Sequence, residues 1–273
     1  MKVALPDGGY LCAQFNAGPK NASVIVLSNS VLTNMSIWEQ QVSVLTQAYS
    51  VLRYDQRGHG QSSIPLVPMT FDDFGSDVLA LLDAFDVQSC IFVGLSMGVP
   101  TGLAALARVP ERFVAFIAVD GVARSAAGRE AFWSERRDTA RKHGVAQLAD
   151  DTAKRWLPGE SDTAEVVLAL TQIISATPVE GFAIATHALQ RYDYSSVLVK
   201  LAVPFLAIAG KEDGAMPDAM RQQFSDVKGA QFGTIEQAGH VPNFQNADAF
   251  NKAVLNFLTS IDKLNSVNKV EQL

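Results

Sequence analysis

Residues 90–98 read Cys90-Ile91-Phe92-Val93-Gly94-Leu95-Ser96-Met97-Gly98. A short apolar run ends in a glycine-x-serine-x-glycine pattern and passes directly into a stretch with helical character. The run is the length of a buried strand. The helix that follows carries Gly102, Ala104, Ala105 and Ala107, small residues that let it lie close to a sheet. A serine on a sharp strand-to-helix turn needs glycines beside it, because the backbone bends there without room for side chains. That bend lifts the Ser96 hydroxyl above the end of the strand. The helix N-terminus behind it favours developing negative charge. In this setting Ser96 reads as a nucleophile rather than as an ordinary turn residue.

The same alternation extends on both sides. Strand candidates lie at Val24–Leu27, Val51–Tyr54, Val114–Val119 and Phe205–Ala209, with a weaker pair at Tyr10–Phe15 and Gln231–Ile235. Continuous apolar strands separated by amphipathic helices are the mark of a parallel sheet covered on both faces. Phe71, Phe74, Val78, Leu81, Leu82 and Phe85 form one helical stripe, and Asp72 and Asp73 fall in its first turn, where the dipole favours acidic groups. Phe250, Val254, Phe257, Leu258, Ile261 and Leu264 repeat the pattern near the C-terminus. From residue 122 to residue 200 the alternation stops, and helices are expected over Arg129–His143, Val145–Trp156, Asp162–Ser175 and Val179–Gln190. The expected organisation is a core domain built from residues 1–121 and 201–273, with 122–200 as a helical insertion.

Composition narrows the partners. The chain of 273 residues is 48% apolar and 18% charged, with a net charge of −6, so it can bury a large core and has no basic stripe to neutralise phosphates. Nucleic acid is therefore not an expected partner. The longest apolar run, Phe113 to Val119, is far below the ~20 residues of a membrane span, and Pro6-Asp7-Gly8-Gly9 interrupts the N-terminus early, so no membrane association and a cytoplasmic location are expected. Two cysteines, Cys12 and Cys90, make no disulfide framework. No His, Cys or carboxylate cluster has metal-ligand spacing, and no glycine-rich nucleotide motif is present, so no metal or cofactor is expected.

A serine hydroxyl needs a base to take its proton. Of His59, His143, His187 and His240, His240 lies in the loop after the last strand and downstream of an acid that follows a strand. His143 ends a highly charged helix, His187 falls in the insertion, and His59 belongs to the Arg57-Gly58-His59-Gly60 turn. Asp213, directly after the Phe205–Ala209 strand, is the expected acid that orients His240. Asp120 ends the neighbouring strand and reaches the same edge of the sheet, so it stands as the alternative, its plainer role being to cap the turn into the insertion. Glu212 is expected to point away. Oxyanion donors are expected from the backbone N–H of Met97, the residue after the nucleophile, and by position from Val31 in the loop Ser28–Thr33. Asp55 and Arg57 read as loop braces.

These residues resemble the α/β-hydrolase fold, and within it the 3-oxoadipate enol-lactonases over nearly the whole chain. The resemblance rests on Leu27-Ser28-Asn29-Ser30, Trp38, the run Leu52 to Ser62, and Gly94–Gly98. Trp133, Arg136, Arg155 and Trp156 also fall where that family has similar residues. It implies a mostly parallel central sheet flanked by helices, with a helical cap inserted after the sixth strand. It further implies a serine hydrolase that cleaves a small-molecule lactone or ester through Ser96, His240 and Asp213. Trp133 and Arg136 are the expected substrate-binding residues, Arg136 as partner of a substrate carboxylate or else as a solvated residue. A general carboxylesterase, another lactonase, a cofactor-free perhydrolase and a non-catalytic ligand receptor share parts of this pattern. The chain departs from the family at Val31-Leu32, where a Leu-Gly is usual, and at Val99-Pro100, where a glycine is usual.

Overall fold

The computed structural model describes residues 1–270, with side chains described through Ile261. Strands β1 (Lys2–Ala4), β2 (Tyr10–Asn16), β3 (Val24–Ser28), β4 (Ser50–Tyr54), β5 (Cys90–Leu95), β6 (Phe113–Val119), β7 (Phe205–Gly210) and β8 (Gln231–Ile235) form one sheet in the order β1-β2-β4-β3-β5-β6-β7-β8. β1 and β2 pair antiparallel, as do β2 and β4, and every later pairing is parallel. Helices α1 (Glu39–Leu45), α2 (Phe71–Ala84) and α3 (Gly98–Arg108) are set between the first six strands. α4 (Arg129–His143), α5 (Ala146–Trp156), α6 (Glu165–Ser175), α7 (Val179–Gln190) and α8 (Ser195–Leu198) lie between β6 and β7 with no strand among them. α9 (Met216–Phe224), α10 (Pro242–Gln245) and α11 (Ala247–Val270) complete the chain.

The burial pattern explains why these runs became strands. Every residue of β4, β5 and β7 is buried, as a strand covered on both faces must be. Alternation along β5 sends Ile91, Val93 and Leu95 to a core with Trp38, Phe250 and Phe257. Phe92 goes to the opposite face, with Phe116, Leu103 and Phe224. α2 begins where the stripe predicts, because Thr70 caps it and exchanges hydrogen bonds with Asp73 in a capping box. In α11 the expected stripe is buried from Phe250 to Ile261, and Leu264 lies outside the described side chains.

Five elements, β1, α1, α8, α9 and α10, escaped the sequence reading. β1 has three residues and α8 has four, too short for either periodicity to register. α6 starts at Glu165 rather than at Asp162, because the Ala164 N–H closes a turn onto the Ser161 carbonyl instead of entering the helix. Among the described residues no single helix is long and apolar enough to cross a membrane; α6 and α7 pass such a test only as a pair bent by 93°.

The insertion closes on itself and rests against the loop after β4. An isolated bridge between Arg124 and Asp193 joins its two ends. On α7, Gly181 rests against Gly58, whose φ of +80° suits glycine, and a Cβ built on Gly181 would stand 1.8 Å from the Gly58 carbonyl oxygen. Gly181→Ala is therefore expected to destabilise the protein by about 1–3 kcal/mol, the range for overpacking, read as a lower urea midpoint. An unchanged midpoint would show that the contact yields freely.

Candidate active site

The elbow at Ser96 is built by steric necessity. Ser96 takes φ +52°, and its N–H donates to the Val119 carbonyl at 2.7 Å, tying the turn to β6. A Cβ on Gly94 would lie 2.4 Å from the Gly98 carbonyl oxygen, and one on Gly98 would lie 2.5 Å from the Ser28 carbonyl oxygen in β3. Only glycine fits on either side. Pro100 falls in the first turn of α3, where a missing N–H costs nothing, so Val99-Pro100 leaves the elbow intact.

Above the elbow, Ser96 Oγ lies 2.9 Å from His240 Nε2, and His240 Nδ1 lies 2.7 Å from Asp213 Oδ2. A carboxylate only accepts, so Nδ1 carries the ring proton and Nε2 is left to accept from the serine hydroxyl. His240 is held in place by the insertion: its N–H donates to the Trp156 carbonyl at 3.0 Å, and the Trp156 ring centre stands 4.9 Å from the imidazole. Burial alone would raise Asp213. The charge and hydrogen bond of His240 outweigh it, with help from Asp120 and Arg155, and leave its carboxyl below the ordinary range. Such a chain can move a proton off a hydroxyl and back onto a leaving group.

Asp120 does not replace Asp213. It is fully buried, and both of its oxygens accept from the Gly210 N–H, at 3.0 and 3.1 Å. Glu212 is exposed and away from the imidazole, as expected. Asp120, Asp213 and His240 bring three potential metal-ligand atoms within 4.8 Å of one another. Both imidazole nitrogens are engaged, one by Asp213 and one by Ser96, so the donor set is satisfied internally.

The loop after β3 is held rigidly. Asn29 Nδ2 donates to the carbonyls of Ser30 at 3.1 Å and Thr33 at 2.8 Å. Gln56 Nε2 donates to the Asn29 carbonyl at 2.6 Å, while Gln56 Oε1 accepts from Thr101 Oγ1 at 2.9 Å on α3. Val31 lines the cavity with Ser96, and among the described residues neither the Val31 nor the Met97 N–H is spent on an acceptor. Leu32 sits at φ +64°, the conformation a glycine adopts freely. An L side chain there costs about 1–2 kcal/mol, offset here because Leu32 is buried in the cavity wall.

A cavity of about 480 Å³ opens over Ser96 and His240. Trp133 and Arg136 line it, as do three arginines that the sequence reading did not assign to substrate, Arg124, Arg129 and Arg155; Arg129, Arg136 and Arg155 belong to the helices α4 and α5. Arg136 Nη2 donates to Thr152 Oγ1 at 2.7 Å, and its buried Nε has no partner. Among the described residues none of the guanidiniums of Arg129, Arg136 and Arg155 forms an ion pair. Burial and the neighbouring Arg155 and Arg129 charges push Arg136 down to about 10. Arg129 is lowered by burial and by Arg155, and Arg155 is lowered by burial. These guanidiniums bring positive charge to the cavity wall, with the nearby carboxylates of Asp151, Glu135 and Asp213 acting on Arg136 or Arg155 without forming an ion pair. Nothing in the helical periodicity separates these arginines from solvated ones. The signal was the resemblance at Arg155-Trp156.

The other candidates lie elsewhere. His59 is fully buried with Nδ1 against the Arg57 carbonyl, and burial pushes it down to about 4. His143 is exposed and His187 is half-buried, neither lining the cavity. Asp55 accepts from the N–H groups of Met35 and Gln61, and Arg57 pairs with Asp77 and Asp7, so both brace loops.

Comparison with known proteins agrees with this geometry. The chain is 34% identical over 239 residues to 3-oxoadipate enol-lactonase 2 of Acinetobacter baylyi, covering 87% of this chain and 89% of that protein. It is 35% identical over 263 residues to 3-oxoadipate enol-lactonase 1 of the same organism, covering 93% and 95%. The crystal structure of the enol-lactonase from Burkholderia xenovorans LB400 superposes with a TM-score of 0.88 at 34% identity, over 95% of this chain and all of that one. Residues 23–247 match the family model described as the alpha/beta hydrolase fold. The sheet order, the glycine-flanked serine and these matches lead to one assignment: the chain belongs to the alpha/beta hydrolase fold family and is enol-lactonase-like over nearly its full length.

Proposed function

We propose that this protein hydrolyses a lactone or carboxylic ester by passing the acyl group from substrate to Ser96 and then to water. The observation that carries the reading is the unbroken contact from Ser96 Oγ to His240 Nε2 at 2.9 Å and from His240 Nδ1 to Asp213 at 2.7 Å, on the floor of the cavity. His240 takes the Ser96 proton as Oγ attacks the carbonyl carbon. Charge that develops on the carbonyl oxygen is met by the N–H groups of Val31 and Met97, each such donor being worth about 10²–10³ in rate. His240 then protonates the departing ring or ester oxygen, leaving an acyl-serine. A water molecule gives its proton to His240, attacks the acyl carbon and regenerates Ser96, and the acid product leaves. Asp213 remains ionised and steadies the imidazolium in both halves. Residues 1–121 and 201–273 act as the catalytic core, and 122–200 act as the cap that supplies Trp133, Arg136 and Trp156.

The three unpaired arginines favour a substrate that carries a carboxylate at a distance from its reacting carbonyl. The enol-lactonase relatives support a lactone in particular. Turnover of 3-oxoadipate enol-lactone beside neutral lactones and simple aryl esters tests this directly. A kcat/KM highest for the anionic lactone is expected, and equal rates for neutral aryl esters would reduce the reading to a general esterase. Arg136→Ala is expected to raise KM for the anionic lactone by about 10–100-fold, the scale of a lost charged hydrogen bond, with kcat and neutral-ester KM little changed. Equal losses on both substrates would remove Arg136 from substrate binding.

A further inference from the structure

We propose that Asp120 is a neutral carboxylic acid whose O–H donates to the Asp213 carboxylate, making it the positioning residue for the triad acid. This rests on the triad reading above. Asp120 ends β6 at φ +39°, and its N–H donates to the Ile208 carbonyl at 3.0 Å, so the chain turns its carboxyl toward the end of β7 rather than toward solvent. It is wholly buried, and its backbone donor is the Gly210 N–H, shared by both oxygens. The Asp120 and Asp213 carboxyls bring oxygen atoms within 4.8 Å of one another. Two carboxylates this close in a buried site repel each other, so one of the pair holds a proton and can donate it to the other.

The surroundings decide which one. The titratable and charged groups that face the pair are His240, from the loop after β8, and Arg155, from α5; both act on Asp213. The imidazole stands within 4.8 Å of both carboxyls but is hydrogen-bonded to Asp213, and burial followed by the Asp213 charge raises Asp120 well above the carboxylate range. The proton therefore resides on Asp120 and the negative charge on Asp213. Asp213 accepts from both sides, from Asp120 O–H and from His240 Nδ1–H, and so cannot rotate away as the imidazole charges and discharges. This is the arrangement of a carboxyl pair sharing one proton, with the two roles separated by environment.

Asparagine reproduces a neutral donor at this position, and alanine does not. Asp120→Asn is expected to keep kcat within about fivefold of the parent, while Asp120→Ala lowers kcat about 10–100-fold with KM moved less than about threefold, the scale of a buried acceptor left unpaired. In an Asp213→Asn background the constraint on Asp120 is lifted. It then ionises as pH rises and supplies part of the missing charge, so activity climbs with pH at least about tenfold above that of the Asp120→Asn/Asp213→Asn double variant. Infrared difference spectroscopy of the parent protein at neutral pH should contain a protonated-carboxyl band that Asp120→Asn removes. A parent without that band, an Asp120→Asn variant as impaired as Asp120→Ala, or a double variant equal to Asp213→Asn at all pH values would each overturn the proposal. The infrared band needs no turnover, so its absence is distinct from failure of the triad reading, which chemical labelling of Ser96 decides.

Discussion

Ser96→Ala is expected to lower kcat for lactone and ester hydrolysis by about 10⁶-fold while leaving KM within a few-fold of the parent, as in other serine triads. The reason is positional. Ser96 Oγ stands 2.9 Å from the base and on the floor of the cavity, and alanine removes the atom that forms the acyl bond while changing nothing else in the elbow. The Val31 and Met97 amides and the arginines remain, so substrate still binds and a residual rate above that in water persists. Steady-state kinetics on a purified variant, folded by circular dichroism, read the effect. A loss below about 100-fold would mean that His240 activates water directly and that no acyl-serine forms.

Removal of the triad acid is the second large effect. Asp213→Asn is expected to lower kcat by about 10³-fold, and the double change with Asp120→Asn to complete the roughly 10⁴-fold that loss of a triad acid costs elsewhere. The asparagine amide can donate toward His240 Nδ1, which favours the wrong tautomer and turns Nε2 from an acceptor into a donor facing Ser96. If Asp120→Asn were to cause this damage while Asp213→Asn were nearly silent, the acid would be Asp120 and the 2.7 Å contact would be incidental.

The parts of this site that were legible in the sequence are those governed by local rules. Gly94-Leu95-Ser96-Met97-Gly98 announces its own geometry, because strand, bend and helix all fall within a few residues. His240 was legible from order along the chain, as it follows both a strand and an acid. Asp213 was favoured as the acid from its place after the Phe205–Ala209 strand, but Asp120 stayed open as the alternative, since each ends a neighbouring strand. In the structure Asp213 meets the imidazole, while a left-handed turn at Asp120 and the Gly210 N–H hold the other carboxyl. Leu32 was noted as a departure, but that it would take a left-handed backbone, which glycine adopts freely, became visible only in the fold. Arg129 begins α4 and Arg155 falls in the last turn of the next helix, α5, and helical pattern does not distinguish a cavity from bulk water. The bracing of the oxyanion loop by Gln56 and Thr101 joins three distant segments and has no local signature.

The most direct test of an acyl-enzyme at Ser96 is to mix the protein with an activated aryl ester, quench with acid within the first turnover and locate the acyl group by peptide mass spectrometry. The expected result is one acyl group, on the peptide containing Ser96, in the parent protein and none in Ser96→Ala or His240→Ala. Steady turnover of the same ester with no acyl group on Ser96, or with the group on another residue, would contradict the account.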